Sequence, residues 1–315
     1  MNKLLRVVIL NYNKTNLTIR CVESIKLQSY EPIEIVVVDN ASNSKVFEEL
    51  REYLPKDVKL IWCPINSGYA VGNNVGAKCV ISPIEPTFVL IMNNDVFFED
   101  RFAIEKLVAR FQDDSILVAT SPLIHHVGVT SRPDLLRAWH VTRVPSYLDC
   151  LIVGSWWLRR LPYFKSRFDS HVYGDSRPYK DGENYDCETI NGACFVIRKD
   201  FLEAINYLDE GTFLYFEEII LGWQIKNTNK KCSLVTSVVA DHYQGSSSDV
   251  KSLSNSLWHF KEDVKSQAHY CRKYLGNGFL KICLLYVIRA IDFISKTIVK
   301  SLTRQFNFFM NKFYI

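Results

Sequence analysis

Residues Phe88 to Met92 are five apolar side chains in succession, and the run ends abruptly in Asn93-Asn94-Asp95. An unbroken apolar run of this length predicts a strand buried on both faces, because a half-exposed strand would alternate. The same plan appears twice upstream. Leu4–Leu10 ends in Asn11-Tyr12-Asn13, and Ile33–Val38 ends in Asp39-Asn40-Ala41-Ser42. Residues 16–27, 44–53 and 70–80 carry helical spacing between these runs, and Val58–Trp62 reads as a further strand. Strand and helix thus alternate four times within about 95 residues. That alternation predicts an α/β fold with a Rossmann-like, mainly parallel sheet flanked by helices. Right-handed crossovers bring the carboxyl ends of parallel strands to one edge, where open α/β sheets bind their ligands. Each polar tail read alone is an ordinary turn; three on one edge form a candidate site.

Further along, the spacing predicts a helix over 101–111 and a short strand over Ile116–Thr120. Between 125 and 188 the pattern lapses into a stretch rich in aromatic and basic residues, among them Trp139, His140, Arg143, Tyr147, Trp156, Trp157, Arg159 and Arg160. We read it as an insertion with a small core of its own and one helix over 148–161, or else as a lid for acceptor or membrane. Order returns at Ile190–Arg198, and Asp200 is the expected cap of a short helix. Glu217 to Ile225 reads as a helix with both acids in its first turn, where the helix dipole favours them. Cys232–Val239 is a strand ending in Ala240-Asp241-His242 and a Gly/Ser-rich tail to Ser248. From Ser256 onward the chain is helical, with Leu280, Leu284, Val287, Ile288, Ile291, Ile294 and Ile298 on one stripe and Arg289, Asp292, Lys296 and Lys300 on another. Such a stripe either packs on the main domain or lies in a membrane interface. Six basic residues (Lys281, Arg289, Lys296, Lys300, Arg304, Lys312) against one acid, and a tail containing Phe306, Phe308, Phe309, Met310, Phe313 and Tyr314, favour the membrane.

Composition narrows the function classes. The chain has 315 residues, 48% hydrophobic and 23% charged, which fits one large domain with an appendage and excludes a disordered chain. A net charge of +4 lacks the basic excess of a nucleic-acid-binding domain. Nine scattered cysteines, none at C-x-x-C spacing, read as reduced thiols of a cytoplasmic protein. The longest uncharged apolar run near the C-terminus, Ile282 to Ile288, is seven residues, whereas a spanning helix needs about 20. The N-terminus has no signal-peptide pattern.

Val8–Asn13, Val36–Ser42, Asn66–Gly76, Leu90–Asp95, and Gly192-Ala193-Cys194 with Tyr215-Phe216-Glu217-Glu218 together resemble glycosyltransferase family 2, in particular its rhamnosyltransferase-like capsule and O-antigen branch. The resemblance spans residues 4 to about 248 and leaves the middle stretch unmatched. It implies the A-type glycosyltransferase (GT-A) fold over residues 1–250, with an insertion at about 125–188 and an amphipathic helical extension over 251–315. It also implies roles for individual residues. Asp39 contacts the nucleobase, flanked by Leu10, Asn11 and Tyr12. Gly68 and Gly72 admit a close backbone approach, and Asn74 lies near the sugar or ribose. Asn94 faces the ribose or metal, and Asp95 binds the metal, Mg²⁺ or Mn²⁺. Glu217-Glu218 is the acidic pair whose second member is the base, and His242 reaches the metal or diphosphate. Two departures stand out: Ile220 and Gln224 occupy positions where the family often has Asp and Arg, and the cation motif has a single Asp.

An inverting transfer suits these groups, since it needs one base on the acceptor side and charge stabilisation on the departing diphosphate. The expectation is therefore transfer from a UDP- or dTDP-sugar to a hydroxyl of a lipid-linked or oligosaccharide acceptor, in bacterial surface polysaccharide synthesis at the cytoplasmic face of the membrane. Two alternatives stay open: a polyprenyl-phosphate sugar synthase, whose acceptor phosphate needs no such base, and a catalytically silent nucleotide- or carbohydrate-binding partner of another transferase. A nucleotidyltransferase is disfavoured, because no Gly-rich, Arg-containing motif follows the first strand.

Overall fold

A computed structural model describes residues 3–112, 114–129, 143–172, 179–243 and 253–313. Trp139, His140, the tail over 244–248 and Tyr314 lie outside the described residues, as do the side chains of Lys300, Arg304, Phe306, Phe308, Phe309, Met310, Lys312 and Phe313.

The first half of the chain forms a parallel sheet. Strands β1 (Leu5–Asn11), β2 (Ile33–Asn40), β3 (Lys59–Cys63) and β4 (Phe88–Asn93) are ordered 3-2-1-4. Helices α1 (Thr15–Lys26), α2 (Ser44–Tyr53) and α3 (Gly68–Lys78) connect them. The order reverses between β1 and β4, which makes their carboxyl ends the topological switch point where open sheets bind ligands. In register, Asn11 pairs with Asp39 and Leu10 with Asn93, so the three polar tails meet at one level. Leu5, Val7, Ile9, Leu90 and Met92 point into the core on one sheet face, while Val8, Val36, Val38, Val89 and Ile91 point into the other. Two buried faces are why these strands read as unbroken apolar runs. Gly76 brings α3 hard against the sheet: a Cβ there would lie 2.4 Å from Val8 Cγ1.

The second half extends the same sheet with mixed pairing. Strand β8 (Cys194–Arg198) runs antiparallel to β4 and to β6 (Leu117–His126), and β9 (Lys231–His242) runs parallel to β6. The short strands β5 (Val96–Phe97) and β7 (Asn184–Cys187) flank β9 antiparallel to it. Two successive reversals leave β6 and β9 parallel to β4, so their carboxyl ends return to the same edge. Strand β6 runs six residues past the expected end at Thr120, pairing with β9 as far as His126↔His242. A proline, Pro122, sits at a register shift in that pairing, the kind of irregular position a strand proline accepts.

Other helices depart from expectation. The stretch 101–111 holds helix α4 only over Ala103–Ala109. The helix expected over 148–161 stops early: α5 (Tyr147–Val153), opened by a Ser146/Asp149 capping box, ends at Gly154. A 3₁₀ turn (Leu158–Arg160) and α6 (Pro162–Val172) follow. Helix α7 (Lys199–Ala204) is preceded by Arg198, and Asp200 lies in its first turn instead of capping it. The acidic pair opens α8 (Glu217–Asn227).

Helices α9 (Leu253–Lys273) and α10 (Phe279–Phe313) complete the chain. They share a third core with α5 and α8, built from Cys150, Leu151, Ile220, Tyr270, Ile282 and Leu285. Among the described residues the middle stretch therefore shows no private core, because its α5 is buried by the C-terminal helices. The two stripes of α10 are reversed relative to water. Arg289 and Asp292 are buried, Arg289 on Asp263 and Asp292 on the Trp156 backbone N–H (2.6 Å) and Lys296 (2.7 Å). Leu280, Leu284, Val287, Ile291, Ile294 and Ile298 face outward. Among the described residues no helix is long and apolar enough to cross a membrane.

Candidate active site

The switch point is wired by one buried polar network. Asn11 Nδ2 donates to Asp39 Oδ2 (2.7 Å) and to Ser42 Oγ (3.1 Å), and the Ser42 backbone N–H donates to Asp39 Oδ1 (2.9 Å). Asn11 Oδ1 accepts from Thr18 Oγ1 (2.8 Å) and Asn94 Nδ2 (3.1 Å), and Asn94 Nδ2 also reaches Thr18 Oγ1 (2.9 Å). Asp39 is 0% exposed, and both of its oxygens are engaged. Each oxygen keeps a second lone pair for an incoming donor. Leu10 is half-buried and Tyr12 exposed beside this network.

Two glycines and an asparagine serve protein packing. Gly68 has φ +88°, and a Cβ there would lie 2.2 Å from the Phe213 carbonyl oxygen; at Gly72 it would lie 2.4 Å from Leu10 Cδ1. The close approaches these glycines allow are made by residues 213 and 10 of the chain itself. Asn74, assigned by resemblance to the sugar or ribose, spends its side chain on the segment after α7. Its Oδ1 accepts from Leu208 N (3.0 Å), and its Nδ2 donates to Leu208 O (2.8 Å) and Glu210 Oε1 (2.9 Å).

Past β4 the chain turns, and β5 pairs Val96 with His242 of β9. This brings His242 Nε2 to 3.3 Å from Asp95 Oδ1, with both residues buried. His242 Nδ1 is buried without a hydrogen-bond partner among the described residues. Two neighbouring groups went unnoticed in the sequence: His125 Nδ1 lies 2.6 Å from Asp241 Oδ1, and the His126 ring lies 5.3 Å from that of His242. Burial and the neighbouring His242 and His125 push the His126 pKa below its ordinary value, which keeps that imidazole neutral. The signal that marks them is a polar tail at a strand's carboxyl end, and the local spacing ends that strand at Thr120, six residues short of His126.

Among the described residues no group of three His, Cys, Asp or Glu side chains is arranged to hold a metal. The Asp95–His242 pair nonetheless fits an ion whose other ligands come from substrate. Adjacent ligands of an octahedral Mg²⁺-sized ion lie about 3 Å apart, and such ions are commonly held by one or two protein groups plus phosphate oxygens and water.

The acidic pair lies on the same edge. Asn93 N donates to Ala193 O (2.8 Å), which ties β4 to Gly192. A Cβ on Gly192 would lie 3.7 Å from Glu218 Oε2. The Tyr69 hydroxyl, at the start of α3, donates to the Gly192 carbonyl. Asp39, Asp95 and Glu218 are thus joined through Asn11, Asn94, Asn93 and Gly192 around one end of the sheet. Tyr215 and Phe216, both at positive φ (73° and 70°), precede the pair. Two bulky residues in the left-handed region cost about 1–3 kcal/mol each and persist only where the surroundings impose them. Burial, then repulsion from Glu218, pushes the Glu217 carboxyl up to about 8; its Oε1 has no hydrogen-bond partner among the described residues. Glu218 is also raised, by burial and by Asp263 on α9. Two carboxyls so close cannot both ionise easily, so the pair holds a proton near neutrality and is poised to exchange one.

A mixed sheet with a 3-2-1-4 parallel half, a carboxylate–imidazole pair at the switch point and a proton-holding acidic pair beside it define a GT-A-type transferase. The chain belongs to glycosyl transferase family 2, whose family model matches residues 6–205. A hexosyltransferase of low-salt glycan biosynthesis, Agl10 of Haloferax volcanii, is 24% identical over 212 residues, covering 67% of this chain and 59% of the relative. An uncharacterized glycosyltransferase of Rickettsia felis is 28% identical over 100 residues, 31% of this chain and 16% of the relative. The chain thus spans less than two thirds of the length of these relatives. In fold it is similar to the mannosyltransferase PcManGT of Pyrobaculum calidifontis, solved with GDP-Man and Mn²⁺ (TM-score 0.56, 14% identity, 87% of this chain and 65% of that one). It is also similar to GalNAc-T7, solved with UDP, GalNAc and Mn²⁺ (TM-score 0.57, 18% identity, 86% and 50%).

Proposed function

We propose that this glycosyltransferase is inverting and divalent-metal-dependent, and that it moves a hexosyl or deoxyhexosyl group from a UDP- or dTDP-sugar to a hydroxyl of a glycan acceptor. The observation that carries this is the Glu217–Glu218 pair, raised in pKa and held on the same sheet edge as Asp95–His242. Glu218 takes the proton of the acceptor hydroxyl as that oxygen bonds to the anomeric carbon and the carbon–oxygen bond to the diphosphate breaks. Asp95 and His242 would hold Mg²⁺ or Mn²⁺, which when bound supplies charge stabilisation for the departing diphosphate. The Asn11–Asp39–Ser42 network presents carboxylate lone pairs to the nucleobase, with Leu10 and Tyr12 beside it, and Asn94 lies toward the ribose. Only one protein carboxylate is required at the anomeric carbon's acceptor side, so displacement in one step inverts the configuration.

The acceptor in this reading is lipid-linked, as in capsule or O-antigen assembly on the cytoplasmic face of a bacterial membrane. Support comes from α10, whose outward face is apolar while Arg289 and Asp292 are buried. Exposed Lys281 and Lys296 border that face and suit an anionic lipid surface.

The test is donor turnover by purified protein with Mn²⁺. Asp95→Ala should abolish transfer and the metal-dependent part of nucleotide-sugar binding. Binding should raise stability by about 2.7 kcal/mol at a hundredfold excess over Kd in the unaltered protein, read as a thermal shift. The anomeric configuration of the product, read by NMR, decides inversion. Equal thermal shifts with and without metal would rule out the metal role.

A further inference from the structure

The positive-φ turn at Tyr215 and Phe216 sends two neighbouring aromatic rings in opposite directions. Phe216 goes inward, 5.8 Å from the Tyr270 ring in the third core. Tyr215 goes outward, 37% exposed, one residue from Glu217. Its hydroxyl meets His259 Nδ1 of α9 at 2.8 Å. Beside His259, Trp258 is 43% exposed and packed edge-on against Phe213 (5.8 Å, 87°) and His259 (4.8 Å, 79°).

These contacts fix the rings at their edges and leave surface uncovered. They are anchored to the active site by backbone: the Phe213 carbonyl accepts from Tyr69 N (2.9 Å), and Tyr69 is the residue whose hydroxyl holds Gly192 beside Glu218. Ser266 Oγ of α9 donates to the Leu214 carbonyl (2.8 Å), which locks the helix to the same loop. The result is a rigid patch of aromatic surface with hydroxyl and imidazole at its rim, next to the candidate base.

We propose that Tyr215, Trp258 and His259 form the subsite for a pyranose ring of the acceptor glycan. This rests on the transferase reading above. A pyranose has one face rich in C–H bonds, which packs on the electron-rich face of an indole or phenol, and a rim of hydroxyls that hydrogen-bond to groups such as His259 and the Tyr215 hydroxyl. A lipid phosphate is disfavoured here, because the carboxyl groups of Asp263 and Glu217 already act on the Tyr215 hydroxyl.

The probe is a panel of methyl α- and β-pyranosides (gluco, galacto, manno, rhamno and N-acetylglucosamine forms), observed by saturation-transfer difference NMR with the full chain. The expected result is transfer to the ring C–H protons of at least one member. Trp258→Ala should reduce that signal at least threefold, whereas Asp95→Ala should leave it unchanged. In turnover assays Trp258→Ala should raise the acceptor KM about tenfold or more and leave Mn²⁺-dependent donor hydrolysis within twofold. Trp258→Leu serves as a second variant with the bulk but no ring, should the alanine variant fail to fold. No signal from any pyranoside, or equal signals from the unaltered protein and the folded Trp258 variant, overturns the proposal. Loss of the transferase reading alone would show differently, as absent nucleotide-sugar binding with pyranoside signals intact.

Discussion

Glu217 and Glu218 open a helix, where the dipole stabilises a carboxylate by about 0.3–1 kcal/mol, yet both are pushed the opposite way. Burial, with repulsion from Glu218 on Glu217 and from Asp263 on Glu218, outweighs the dipole. The consequence for stability has a definite sign. The folded protein holds a proton on Glu217 that the unfolded chain, with an ordinary value of 4.5, gives up early. The contribution of that protonated group is fully present below about pH 4.5 and is lost as pH rises through about 8. Glu217→Gln should therefore leave stability unchanged near pH 4 and raise it above pH 8, as measured by denaturant unfolding across pH. Catalysis runs the other way, because a base must be unprotonated: kcat/KM of the unaltered enzyme should climb as pH rises through the raised pKa of Glu218, and Glu218→Gln should lower it about 10²–10⁴-fold. A flat profile between pH 5 and 8 would remove the pair from the proton-transfer step.

At the scale of the element, α10 shows how a stripe drawn from sequence can point away from the core. Its apolar positions were equally consistent with packing and with a bilayer; the buried side proved to be the one carrying Arg289 and Asp292. Gly154 makes this burial feasible, since a Cβ there would lie 2.3 Å from an Arg289 guanidinium nitrogen. Leu284→Glu with Ile291→Glu should shift stability by less than about 1 kcal/mol, as substitutions on an exposed surface do, and should abolish co-flotation with vesicles containing anionic lipid. Asp292→Ala should instead cost about 3 kcal/mol, because it strands the Trp156 N–H and removes the charge facing Lys296. Flotation unchanged in the double glutamate variant would refute the membrane role of this face.

The whole molecule is held between two opposed sets of carboxylates. Asp209 joins the 208–210 segment, and through it Asn74, to α9. Burial would raise its pKa, but Lys273, the Tyr274 hydroxyl, the Gly211 N–H and His269 together hold it well below the ordinary 3.8. A depressed carboxylate contributes stability above its unfolded value and loses it as pH falls. Asp149, bonded to Ser146 and Arg167, acts with the same sign. Stability from these groups should accordingly peak at about pH 4, with the acid limb below it set by Asp209 and the alkaline limb above it by the Glu217–Glu218 pair. Asp209→Asn should move the acid midpoint upward and leave the alkaline limb in place, as followed by circular dichroism. An unmoved acid midpoint would mean that α9 is held by its apolar contacts alone.

The sequence by itself determined the parallel half of the sheet, because strands buried on both faces must be apolar throughout, and it determined the edge to which their polar tails belong, because crossovers have one hand. The places of Asp39 and Asp95 on that edge were legible for that reason, whereas Glu218 and His242 were picked out only by the family resemblance. Tertiary structure alone decided the rest. It paired β6 with β9 as far as His126, gave the 213–218 loop two left-handed aromatics, satisfied Asp39 from Asn11 and Ser42, and buried α5 under the C-terminal helices. Each of these depends on contacts between residues far apart in the chain, and local spacing carries no record of which face of an element such a contact will cover.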